Sequence, residues 1–109
     1  MTWLDIEGAQ YWMGDYATNQ AFMTELVAAA KETFPILGVY SSYYEWTSLF
    51  GDVNYSPAAD LPLWYADYDG VPSFADFKPF GGWHAPHVKQ FKGDIETCGQ
   101  NVDLDWYPE

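Results

Sequence analysis

Asp5 and Glu7 stand one residue apart in Trp3-Leu4-Asp5-Ile6-Glu7, a stretch that alternates strictly. Such alternation predicts a short strand with Trp3, Asp5 and Glu7 on one face and Leu4 and Ile6 on the other. At roughly 3.3 Å per residue the two acidic Cα atoms lie about 6.6 Å apart. Neighbouring carboxylates push their pKa values apart, so one can hold a proton while the other is charged. A protonated acid that donates to a leaving oxygen, beside a charged one that stabilises a cationic centre, is the equipment of glycoside hydrolysis. On these two residues alone, a solvated edge strand remains the alternative.

The composition supplies a setting for them. Aromatics make up 20% of the chain, with 6 Trp, 9 Tyr and 7 Phe, more than a small core is expected to hide. Several should therefore line a concave surface, where flat rings with polar handles suit sugars; an unusually aromatic core is the other reading. Among 109 residues, 16 Asp and Glu stand against 4 Lys and Arg, giving a formal charge of -12. All four cations are lysines (Lys31, Lys78, Lys89, Lys92). Nucleic acid and anionic membrane surfaces are thereby excluded as expected partners, since both demand clustered positive charge. With 49% apolar and 18% charged residues, the chain reads as globular and able to bury one core.

Other chemistry is poorly served. His84 and His87 have no Cys or third His nearby, so neither a zinc site nor any other metal or cofactor is expected. Asp67, Asp69 and Asp76 read as turn residues, with Asp67 close enough behind a strand to contact a substrate. Gly81-Gly82 lacks the strand-to-helix setting of a phosphate loop.

The elements that must position these groups follow from pattern. After the strand at Trp3 to Glu7, a helix capped by Thr18 or Asn19 should run to about Thr33, with Phe22, Leu26, Ala29 and Ala30 on its buried stripe and Met23, Val27 and Phe34 widening it. Pro35 closes it. Ile36 to Tyr40 is apolar on both faces, as in a covered parallel strand. A short helix from about Tyr43 to Leu49 ends at Gly51, and Leu61 to Ala66 forms a third strand. Turn residues fill 67–86. Two short strands, His87 to Phe91 and Val102 to Trp106, flank a turn containing Gly93 and Gly99. The order predicts an α/β fold with a mostly parallel sheet.

Trp3-Leu4-Asp5-Ile6-Glu7-Gly8, followed by Tyr11-Trp12, Asn19 and Phe22, resembles the acidic motif and following helix of the glycoside hydrolase family 25 lysozymes. Five more blocks resemble that family in its order: Gly38-Val39-Tyr40-Ser41-Ser42-Tyr43-Tyr44-Glu45-Trp46, Leu63-Trp64-Tyr65-Ala66, Pro79-Phe80-Gly81-Gly82-Trp83, Lys89-Gln90-Phe91 and Val102-Asp103-Leu104-Asp105-Trp106. The likeness is strongest to lysozymes of protists and invertebrates. It implies a partial irregular (β/α) TIM-like barrel, roughly strands four to eight, occupying all of 1–109. It also implies cleavage between N-acetylmuramic acid and N-acetylglucosamine in peptidoglycan. By the same resemblance Glu7 is the general acid, Asp5 assists the substrate's own N-acetyl group, and Asp103 is a third acid. Tyr40, Trp64, Tyr65 and Gln90 match positions near the sugar cleft.

A (β/α) barrel takes ~250 residues, 200 at the short end, so earlier strands, with one further Asp, are expected upstream of Met1. Open sheet edges then invite self-association. The single Cys98 either pairs outside this stretch or is a free thiol. No signal peptide is read in the first residues, although a lysozyme would work outside the cell or in a lysosome or phagosome. The acidic charge points to an optimum below neutrality.

Overall fold

The computed structural model describes residues 2–8, 12, 15–97 and 100–106, with backbone alone for 93–97, 100–104 and 106. The elements are β1 (Thr2–Asp5), α1 (Tyr16–Thr33), β2 (Leu37–Ser41), α2 (Tyr43–Phe50), β3 (Leu63–Ala66), β4 (Val88–Thr97) and β5 (Gln100–Trp106). They form one sheet in the order β1-β2-β3-β4-β5. The first four strands are parallel, with Asp5 opposite Tyr40, Tyr40 opposite Trp64 and Ala66 opposite Gln90. β5 returns antiparallel. The expected mixed α/β class with a mostly parallel sheet is therefore present. The sheet is open, with β1 and β5 as its edges, because five strands at the usual twist sweep only part of the circle that eight close.

α1 begins earlier than its pattern suggested. Asp15, rather than Thr18 or Asn19, is the cap: its carboxylate accepts from the Thr18 N–H at 2.8 Å, and that bond holds its pKa below the ordinary carboxylate value. The buried stripe is Asn19, Met23, Val27 and Ala30, while Phe22 is 55% exposed. The stripe is turned because a polar residue anchors it. Asn19 Nδ2 donates to the Leu49 carbonyl at 2.9 Å and Gln20 Nε2 to the Phe50 carbonyl at 2.7 Å, so α1 satisfies acceptors that the end of α2 leaves unpaired. α2 itself is capped by Ser42, which accepts from the Glu45 N–H, and ends at Gly51 with φ 69°. A Cβ at Gly51 would lie 2.4 Å from the Tyr16 ring, so glycine is required there for space as well as for backbone angle.

Much of the aromatic content is core. Trp46 is fully buried and meets Phe50, Phe80 and Trp83 at ring-centroid distances of 4.7, 5.9 and 5.1 Å. Both indoles keep their N–H satisfied, Trp46 by the Tyr55 carbonyl and Trp83 by that of Leu61, as buried tryptophans require. β2 is covered on both faces as expected, although Ile36 stays outside it and exposed.

The last two strands are longer than expected. β4 runs to Thr97, so Gly93 lies within it rather than in a turn, amid register shifts between Gln90 and Ile95. Cys98 and Gly99 lie outside the described residues. β4 pairs with β3 only through Val88 to Gln90, so the remainder pairs with β5 alone. The molecule is accordingly elongated, 40 × 29 × 27 Å with a radius of gyration of 14.3 Å, against about 13 Å for a compact chain of this size.

Candidate active site

A cleft of about 440 Å³ opens at the C-terminal ends of the parallel strands, the end at which α/β sheets place their ligands. Glu7 enters it from the segment after β1, Tyr40 from β2, Tyr43, Tyr44 and Glu45 from α2, and Tyr65, Asp67 and Tyr68 from β3 and its following loop. Glu7 is exposed and lies just past the strand, yet its backbone is fixed. Ile6, 1% exposed, donates its N–H to the Tyr40 carbonyl at 2.8 Å; its own carbonyl accepts from Ser41 Oγ at 2.8 Å. The Glu7 carbonyl accepts from Trp12 Nε1 at 3.2 Å, and Trp12 packs edge-on against Phe22 and Phe50. Burial of Ile6 thus holds the acid at the rim.

Tyr40, Trp64 and Gln90 come together beside the cleft. The Tyr40 hydroxyl donates to Gln90 Oε1, which also accepts from Tyr68 at 3.2 Å. The Tyr40 ring lies 4.6 Å from that of Trp64, which in turn meets Trp3 at 5.5 Å and donates its indole N–H to Asp105 at 2.8 Å. Burial pushes the Tyr40 hydroxyl pKa up, helped by Tyr68 and by the negative charges of Glu7 and Asp5, so both acids act on this hydroxyl. Asp5 also borders a second hollow, of about 450 Å³, with Ile6, Trp12 and Phe22. Asp103 belongs to β5, and its side chain lies outside the described residues.

Tyr65 sits differently. Its ring is in the core, 3% exposed, and its hydroxyl donates to Asp76 Oδ1 at 2.9 Å. Burial, the bond to Asp76 and the charges of Asp67 and Asp69 all push its pKa up.

Pattern reading missed three features. Tyr44 and Tyr68, 73% and 58% exposed, flank the cleft; adjacent aromatics at a helix start were the available signal for Tyr44, since both cannot be buried. Asp69 and Asp76 do more than shape turns, because both pair with Lys89. A lysine inside a covered strand, preceded by three aspartates in one loop, was the signal for that pairing.

The family profile described as Lysozyme-like protein 1 matches residues 1–91. The chain is 49% identical over 108 residues to "Probable GH family 25 lysozyme 2" of Dictyostelium discoideum, covering 99% of this chain and 50% of that protein. It is 41% identical over 108 residues to "Lysozyme-like protein 5" of Caenorhabditis elegans, covering 97% and 49%. Among solved structures it is similar to the Clostridium perfringens spore cortex lytic enzyme SleM, with 26% identity, a TM-score of 0.71 and coverage of 97% of this chain and 36% of that one. The muramidase from Acremonium alcalophilum, 20% identical with a TM-score of 0.72 over 98% of this chain and 50% of that one, is a likeness of fold. The chain spans about half the length of the curated relatives it matches.

Proposed function

Since the chain belongs to the glycoside hydrolase family 25 lysozymes, we propose that it carries the acid-bearing part of a muramidase site that cleaves the bond between N-acetylmuramic acid and N-acetylglucosamine in peptidoglycan. The observation that carries this reading is Glu7, an acid fixed by its backbone at the strand ends and opening into a cleft walled by tyrosines. Glu7 donates its proton to the glycosidic oxygen, which leaves with the bonding electron pair. The substrate's acetamido oxygen attacks the anomeric carbon, and Asp5 stabilises the positive charge that develops. Water then opens the cyclic intermediate and returns a proton to Glu7. Asp103 is the third acid. Tyr40, Trp64 and Gln90 hold the glycan through ring faces and a shared hydrogen-bond chain, with the Tyr65 hydroxyl behind the wall. The five-strand arc is the part of an irregular (β/α) barrel that bears these groups. The place of work is extracellular, lysosomal or phagosomal.

The test is release of muramyl fragments from purified peptidoglycan. In the chain joined to the preceding half of a relative such as the Dictyostelium lysozyme it matches, Glu7→Gln should lower turnover by about 10²- to 10⁴-fold, the usual contribution of a general acid, with glycan binding retained. Asp5→Asn should also cripple turnover without abolishing binding. Survival of turnover in Glu7→Gln would remove Glu7 from the role. The second reading, a sugar-binding module without turnover, rests on the tyrosine-walled cleft, which suits a glycan whether or not it is cleaved. Binding of chitooligosaccharides with no bond cleavage by that joined protein carrying the wild-type acids would establish it.

A further inference from the structure

The loop that follows β3 closes around a buried cation. Lys89, on β4, is 0% exposed. Its ammonium donates to Asp69 Oδ1 and Oδ2 at 2.9 and 3.0 Å, to Asp76 Oδ1 at 2.7 Å, and to the carbonyls of Val71 and Ser73 at 2.9 and 3.0 Å. The charge count inside this knot does not balance. Carboxylate oxygens of Asp67, Asp69 and Asp76 converge to within 4.8 Å of one another, so three acids face one ammonium.

Asp76 marks where the imbalance falls. Its Oδ1 is taken by Lys89 and the Tyr65 hydroxyl, while its Oδ2 is buried with no donor among the described residues when every acid is ionised. A proton on Asp67 settles both difficulties, because it removes one negative charge and supplies an O–H for that acceptor. Asp67 also lines the cleft that holds Glu7.

We propose that Asp67 is a specificity-determining wall of the cleft: as a neutral acid it is tied by its own O–H to Asp76 and offers its other oxygen to an N–H or O–H of the glycan, with Lys89 as the positioning residue that keeps Asp76 ionised. The glycan part rests on the muramidase reading; the shared proton does not. The electrostatics agree with the geometry. The hydrogen bond with Asp76, then burial, then the charges of Asp76 and Asp69 lift the Asp67 pKa to about 6, against an opposing pull from Lys89. Burial pushes Asp76 upward, but hydrogen bonds from Asp67, Lys89 and Tyr65 overcome it and hold its pKa at about 2. The charged and titratable groups around Asp67 are Asp69 and Asp76 in its loop, Tyr65 on β3 and Lys89 on β4, with Glu7, Glu45 and Lys78 lining the same cleft. Ionising Asp67 therefore adds negative charge to the cleft that Glu7 also lines, where an anionic glycan must enter.

Carboxyl ¹³C NMR titration of this chain tests the shared proton without any appeal to activity. One aspartate should titrate near the midpoint of Asp67 and disappear in Asp67→Asn. Asp76→Asn should bring that midpoint back toward about 4, the ordinary aspartate value. Lys89→Met should raise it, which a purely structural lysine would not do; if that variant does not fold, Asp76→Asn decides. A midpoint unmoved by Asp76→Asn, or a signal that persists in Asp67→Asn, overturns the shared proton. Binding of the N-acetylglucosamine–N-acetylmuramic acid disaccharide, followed by NMR at pH 5 and pH 7.5, tests the contact. The wild type should bind several-fold more weakly at the higher pH, and Asp67→Asn equally at both. The same pH dependence in both proteins overturns the role of Asp67 in recognition. No binding at either pH, with the titration intact, overturns the muramidase reading and the contact built on it.

Discussion

At the level of single residues, the molecule divides its acids by what surrounds them. Glu7 owes its place to the burial of Ile6 and the indole donor of Trp12, whereas Asp67 and Asp76 are set by each other and by Lys89. That pairing has a consequence for stability. Asp67 has a folded pKa above its unfolded value of about 4, so the stability it contributes is full below that value and is lost as pH rises through about 6. Asp76 works in the opposite sense: its contribution is full above about 4 and is lost as pH falls toward about 2. Thermal denaturation across pH 2 to 8 should therefore give a Tm that peaks near pH 4 to 5. Asp67→Asn should flatten the limb above pH 5, because an amide N–H reaches the same acceptor at every pH. An unchanged slope in that variant would show that the general surplus of negative charge, and not this pair, governs the fall.

At the level of elements, the connection between the two helices is polar where apolar packing was expected. Asn19 is buried on α1 and supplies the donor for Leu49 at the end of α2. Asn19→Leu adds apolar surface but strands a buried carbonyl, and the second effect is larger. The expected loss is about 1–3 kcal/mol, measurable as a lower urea midpoint with an unchanged slope. The turned stripe of α1 explains why Phe22, which the helical pattern placed inward, is instead exposed and meets Trp12 edge-on. Position on a helix gives a face; only the partner decides how that face is rotated.

At the level of the whole molecule, an open sheet and a half-length match to the relatives point the same way. β1 is a sheet edge whose outer side has no paired strand among the described residues, and such an edge invites pairing with another chain. The cleft draws its walls from the segments after β1, β2 and β3, from α2 and from residues 76–80. The 109-residue chain by itself should accordingly self-associate, giving a solution mass above 12.4 kDa, and should lyse peptidoglycan weakly. Lysis should rise when the chain is joined to the preceding half of a relative such as the Dictyostelium lysozyme it matches. Full lysis by a monomer of the chain alone would show that these strands suffice for the chemistry.

The sequence by itself determined the α/β class, a first strand bearing Asp5, the double-covered β2 and the family, because each is written in local alternation, in caps and breakers, or in contiguous motifs; that strand stops at Asp5, and Glu7 lies beyond it. Only the tertiary structure decided which aromatics are core and which line the cleft, since Trp46 and Tyr44 stand two residues apart on one helix and differ solely in what packs against them. It also decided the length of β4, which depends on pairing with β5 rather than on its own residues. The partners in the knot of Lys89 with Asp69 and Asp76 were equally a matter of tertiary structure. A lysine in a covered strand after a loop of aspartates signals that some acid must pair with it, but which ones do is decided only once the loop has closed.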